Sequence, residues 1–114
     1  MELSPNFYSR ELRVFLANFS KIIVVLDIKT DPVPLAVELH SQEVISIGDL
    51  AELMNTDVMT ARIAKLLDTM RHQIMVEPAN LYKFLSVMKT DPSLADTADS
   101  IADECRKYVH TIVQ

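Results

Sequence analysis

From Arg10 to Leu26 the residues Leu12, Phe15, Leu16, Phe19, Ile22, Ile23 and Leu26 recur at steps of three and four. That spacing draws one apolar stripe along a helix, and Ser9 stands where an N-cap belongs. The β-branched run from Ile22 to Leu26 also fits a buried strand. The continuous stripe upstream of it favours helix.

The same period returns along the chain. Asp31-Pro32 opens a second helix: Asp accepts from unpaired N–H groups, and Pro at the first position gives up a bond it would not make. Leu35 and Leu39 mark its inner side. Ser46–Met54 reads as a short third helix with Ile47, Leu50 and Leu53 inward. Asn55-Thr56-Asp57 breaks and re-caps the chain before a fourth helix, Val58–Ile74. Its apolar face is Met59, Ile63, Leu66, Leu67, Met70 and Ile74. Glu77-Pro78 starts a fifth helix with Leu81, Phe84, Leu85 and Met88 inside. Asp91-Pro92 starts a sixth, on which Leu94, Ala98, Ile101, Cys105, Tyr108 and Ile112 form the seam. Lys-Thr-Asp-Pro occurs at 29–32 and 89–92, one helix-starting device used twice. The expected fold is all-α: a six-helix antiparallel bundle.

Composition narrows the classes. The chain of 114 residues, 49% of them hydrophobic, suits one domain over 1–114 with its core in about 10–110. The longest apolar run, Ile22–Leu26, is far short of the roughly 20 residues a membrane helix needs. The opening MELSPNFYSR lacks a basic flank followed by an apolar stretch, so no secretory signal and no membrane association are expected. A single cysteine fits a cytoplasmic setting. A single glycine, Gly48, argues against phosphate-cradling loops and leaves the turns to Pro, Asp, Asn and Ser. The net charge of −5 argues against a nucleic-acid partner.

Catalytic chemistry is sparse. Cys105 lies on the apolar seam, and His110 stands roughly 140° around the helix from it, so no Cys–His pair is indicated. His40, His72 and His110 lack metal-ligand spacing. Asp96, Asp99 and Asp103 line one helix side and read as a solvated face. Asn18-Phe19-Ser20 matches a glycosylation acceptor by chance, inside a helix. No enzyme, no metal and no cofactor are expected.

Charge is distributed unevenly. Residues 1–30 hold four Lys/Arg against three Asp/Glu, and residues 58–76 hold three against one. Residues 31–57 hold six acids and no Lys or Arg. Arg10, Arg13 and Lys21 fall opposite the first apolar stripe, and Arg62, Lys65 and His72 share an outer strip of the fourth helix. A module with one basic and one acidic face selects its partner and register by complementarity, and head-to-tail contact of such faces propagates into filaments.

The segments LAVELHSQEVIS (35–46), ARIAKLLDTMRHQI (61–74) and LYKFLSVMKTDPSLADTADSI (81–101) resemble the caspase recruitment domain (CARD), a branch of the death-fold superfamily. Lys65-Leu66-Leu67-Asp68 and Tyr82-Lys83-Phe84-Leu85 carry the likeness, with the proline-marked turn that follows. It covers about residues 10–110. The resemblance implies a six-helix bundle that pairs with other CARD or death-fold domains, itself included, in apoptotic or innate-immune signalling. By position it implies a basic face of Arg10, Arg13, Arg62 and Lys65 and an acidic face of Glu38, Glu43, Asp49 and Glu52. The family's first helix is kinked, and here no Pro or Gly marks a kink near Asn18. The absence of Arg-x-Asp-Leu argues against a death effector domain, while a death-domain adaptor shares the bundle. A different class of function is a helical regulator whose groove, near Val24, Val25, Val87 and Val113, takes a partner's amphipathic helix.

Overall fold

The computed structural model describes residues 8–29 and 31–113, with side chains for 8–27 and 31–107. Within them lie seven helices and no strand: α1 (Arg10–Ala17), α2 (Phe19–Lys29), α3 (Pro32–Ser41), α4 (Ile47–Met54), α5 (Met59–Val76), α6 (Asn80–Lys89) and α7 (Pro92–Val113). The all-α expectation holds. The count of six does not, because the first expected helix is two.

The break falls at Asn18, and its cause is a side chain. Asn18 is buried, and its Nδ2 donates to Val14 O at 2.9 Å and to Glu104 Oε2 on α7 at 2.9 Å. Its backbone takes φ −104°, ψ 7°, outside the helical well, and its N–H is shared between Val14 O and Phe15 O. A side-chain amide that competes for the i−4 carbonyl bends a helix without Pro or Gly. The ladder resumes at once, with Ile22 N donating to Asn18 O at 2.9 Å. Occupied in this way, Asn18 is not presented as a glycosylation acceptor. Ile22–Leu26 is helical, with Ile22 and Leu26 wholly buried.

Local capping explains most of the other ends. Ser9 accepts from Leu12 N at 3.0 Å and Asp31 from Val33 N at 3.0 Å. Ser46 and Asp49 form a reciprocal capping box on α4. Asp91 accepts from Ser93 N at 2.9 Å at the head of α7. Two starts differ from expectation. The N-cap of α5 is Val58, with no side-chain bond, so Asp57 does not cap it. Helix α6 begins at Asn80, beyond Glu77-Pro78, where Asn80 Nδ2 donates to Gln73 O at 3.0 Å and ties the new helix to the end of α5. The turn after α3 is left-handed at Glu43 (φ 62°), a conformation that disfavours a β-carbon. It is held because Val44 and Ile45 are buried behind it and His40 Nδ1 meets Ile45 O at 3.0 Å. Gly48 lies inside α4 and is not needed for this turn.

The core gathers the inner residues of every helix. Phe15 and Phe84 meet edge to face at 6.1 Å, and Phe15 and Phe19 at 5.7 Å. Helices α6 and α7 pack back to back, burying Leu81, Phe84, Leu85, Leu94, Ala98 and Ile101 together. Helix α1 packs on α5, α6 and α7, α3 on α4, and α4 on α5. Three expected inward positions are exposed instead, Leu16, Ile47 and Met59, while Phe19 and Ile23 are half-buried against the core. Val14, outside the expected stripe, is buried. Tyr108 and Ile112 lie outside the described side chains.

Candidate functional site

One pair of the charged residues expected on two separate faces meets instead along the α4–α5 seam. Lys65 Nζ on α5 lies 2.5 Å from Glu52 Oε2 on α4, so one residue of the expected basic face pairs with one of the expected acidic face in the same molecule. The hydrogen bond to Glu52 raises the Lys65 ammonium above its ordinary value and keeps it charged. Asp49, Lys65, Asp68, Arg71 and His72 line one shallow dip of about 210 Å³, where both signs mix.

Arg62 is not an outward cation. Its guanidinium donates to Thr56 O and, at 3.5 Å, to Met54 O, and it stands 3.8 Å from Asp31. Met54 O is among the last C=O groups of α4, which have no partner within the helix, and Thr56 O lies in the turn that follows. Arg62 therefore closes α4 from the first turns of α5. Arg13 is half-buried and engaged with neighbours.

Arg10 is tied into the molecule by a network that sequence reading did not find. Glu11 on α1 is buried, and its Oε2 accepts from the Tyr82 hydroxyl of α6 at 2.7 Å and from Arg10 Nε at 2.9 Å. Arg10 also reaches the Tyr82 hydroxyl at 3.2 Å. Burial by itself pushes the Glu11 carboxyl up, but the hydrogen bonds from Tyr82 and Arg10 outweigh it, and the carboxyl is held below its ordinary value of 4.5. Burial, then the bond to Glu11, pushes the Tyr82 hydroxyl well above its usual range. Burial likewise raises the neighbouring Cys105 thiol, away from reactive thiolate. A buried acid four places before Phe15 was the one available signal, and only the fold supplies its partner.

The Glu11 network sets a pH dependence. Because the folded carboxyl titrates below the unfolded one, its contribution is present above pH 4.5 and is lost as pH falls through the lowered folded value. Glu11→Gln is expected to be less stable than the parent at pH 7, with the gap closing as pH falls below 4.5. Denaturant midpoints across a pH series measure this, and a gap that stays constant with pH contradicts it.

On the expected acidic face, Asp49 is half-buried in the α4 capping box, and Glu38 accepts from Gln42 at 3.4 Å. Glu43 is exposed at the left-handed turn. Helices α3 and α4 pack side by side, but Glu38 lines the groove towards the α6–α7 turn, Glu43 the dip beside Gln73 of α5, and Asp49 the dip beside Lys65. A scan against family models, a search of curated proteins and a search of solved structures each return no match.

Other expectations divide. Val87 is buried, whereas Val24 is exposed and Val25 half-buried; Val113 lies outside the described side chains. A groove of about 350 Å³ between α3 and the α6–α7 turn sets Glu38 and Asp91 against Pro34, Leu35, Val87 and Leu94. Asp99 pairs with Lys89 at 2.9 Å and Asp103 with Arg106, as on a solvated face. Among the described residues no group of three or more His, Cys, Asp or Glu is placed to hold a metal ion, and no helix is long and apolar enough to cross a membrane.

Proposed function

We propose that this chain is a non-enzymatic interaction module of the death-fold kind, similar to a caspase recruitment domain, which assembles cytoplasmic apoptotic or innate-immune signalling complexes by pairing with other such domains, itself included. The observation that carries the reading is the acidic block of residues 31–57, with six carboxylates and no Lys or Arg, carried by α3, α4 and the turns beside them. A run of one sign of this kind serves partner selection more than it serves the stability of its own fold, even though Lys65 and Arg62 of α5 meet Glu52 and Asp31 within it. The bend at Asn18 adds support, since it restores the kinked first helix that the resemblance implies. The proposal takes α1 and α2 as two limbs of one kinked helix.

The internal pairing of Lys65 and Arg62 moves the test to the acidic side. Glu38→Lys with Glu43→Lys is expected to abolish association while leaving the melting temperature close to that of the parent, because both side chains are exposed. Sedimentation across concentration and salt, with imaging for filaments, gives the readout. Association should weaken as salt rises. Association that is indifferent both to salt and to this double reversal sinks the reading.

A further inference from the structure

The groove between α3 and the α6–α7 turn has an apolar floor and a charged rim. Pro34 and Leu35 form one side of the floor, Val87 and Leu94 the other, and Glu38 and Asp91 stand at the rim. Asp91 caps α7 through Ser93. Glu38 is exposed, and its carboxylate accepts only from the neutral amide of Gln42, at 3.4 Å. Among the described residues no cation meets it. A carboxylate at the mouth of an apolar groove suits a Lys or Arg side chain, whose stem packs on the floor while its charge stays at the rim.

The cations of the described side chains decide the occupant. Arg10, Arg62, Lys65, Arg71, Lys89 and Arg106 each stand against a carboxylate of the same molecule, and Arg13 is engaged with neighbours. Lys21 donates to Ser100 Oγ at 3.2 Å, with Asp96 and Glu104 one turn to either side of Ser100 on α7. Lys107 follows Asp103 and Glu104 by four and three positions on the same helix. Lys83 is different. It is exposed, α6 holds no Asp or Glu from Asn80 to Lys89, and Lys83 makes no ion pair among the described residues. It also stands beside the groove: Lys83, Val87 and Thr90 follow at steps of four and three along one side of α6, and the last two line the groove.

Lys83 and Glu38 thus lie on one face of the molecule, at the same groove, each without an opposite charge of its own. A patch that holds both halves of an unmade ion pair is self-complementary, which is what a twofold interface requires. We infer that this groove docks a second copy of the chain about a twofold axis, Lys83 of each copy entering the groove of the other to meet Glu38. The inference rests on the reading of the chain as a module that pairs with itself, and it names the surface used and the cation that replaces Arg62 and Lys65.

Sedimentation of the chain alone, across concentration, is expected to show a monomer–dimer equilibrium that weakens as salt rises. Lys83→Glu and Glu38→Lys should each weaken the dimer about tenfold or more. Their melting temperatures should stay close to the parent's, because both positions are exposed. The decisive variant carries both changes on one chain. It restores opposite charges across the twofold axis, so dimerisation should return to within about threefold of the parent. Mixing the two single variants should give the same recovery as a heterodimer. Lys107→Glu alters net charge equally and should leave the equilibrium unchanged. The inference is overturned if the double variant is as weak as the single ones, or if Lys107→Glu loses as much as Lys83→Glu. It is also overturned if the chain stays monomeric at every concentration yet pairs with another death-fold domain through Glu38, since the occupant is then a different protein. Lys83→Glu without effect, beside an active Glu38→Lys/Glu43→Lys reversal, removes the groove contact and leaves the interaction module standing.

Discussion

Phe15→Ala is expected to remove about 3–5 kcal/mol of folding stability. Phe15 is wholly buried on α1, and its ring meets Phe84 on α6 at 6.1 Å and Phe19 on α2 at 5.7 Å. Both contacts are edge to face, the arrangement that aligns a ring's positive rim with its neighbour's negative face. Truncation forfeits the transfer of the ring out of water, empties a space between three helices, and loses both ring pairs. The bend at Asn18 leaves α1 little room to collapse into that space, because the amide bond to Glu104 fixes it against α7. Against a total of about 5–15 kcal/mol for a typical domain, a third or more of the stability goes. Phe15→Leu should cost much less, about 1–1.5 kcal/mol, since most of the volume remains. The measurement is the midpoint of urea unfolding, read with an unchanged slope. A cost below about 1 kcal/mol for the alanine would mean that α1 does not dock on α6 as described.

Arg62→Glu is expected to cost about 2 kcal/mol, a loss that belongs to the fold before it belongs to any partner. The guanidinium donates to Thr56 O and Met54 O and faces Asp31, so removing it strands the end of α4, and a carboxylate there would meet two carbonyls and an acid. Partial exposure keeps the cost below that of a buried ion pair. Arg62→Lys should cost about half as much: it keeps the charge but cannot span two carbonyls with one planar fork. Lys65→Glu gives the contrast. Lys65 is a flexible cation paired at the surface, and its reversal should barely move the midpoint. If Arg62→Glu unfolds at the parent's denaturant concentration, Arg62 does not close α4. If it unfolds earlier, loss of assembly in that variant says nothing about a basic face, and variants at Glu38 and Glu43 must carry the functional question.

The difference between these two arginine readings shows where sequence and structure part. Arg62 falls on the outer side of its helix by periodicity, and a helical wheel can say no more. Its long side chain nevertheless reaches back to Met54 O at the end of α4 and Thr56 O in the turn after it, which becomes visible only once α4 and α5 are placed. Lys65 and Glu52 repeat the point: thirteen residues apart, they meet because two helices cross there. Ile47 and Met59 fail in another way. They sit at the edges of their stripes, and whether an edge is covered depends on where the neighbouring helix ends.

What the sequence determined by itself is the set of elements and most of the core. Burial of one face at a period of 3.6 is a local demand, so Leu12, Ile63, Leu66, Leu67, Phe84 and Leu94 declare themselves; capping by Ser9, Asp31, Ser46 and Asp91 is settled within three residues of each cap. Only the tertiary structure decided the bend at Asn18, the Glu11–Tyr82 link and the exposure of Ile47 and Met59. The Asn18 amide is anchored 86 residues away on Glu104, and Glu11 71 residues away on Tyr82. Which charges are paired inside the molecule follows from distances across helix contacts, and these do not exist until the helices pack.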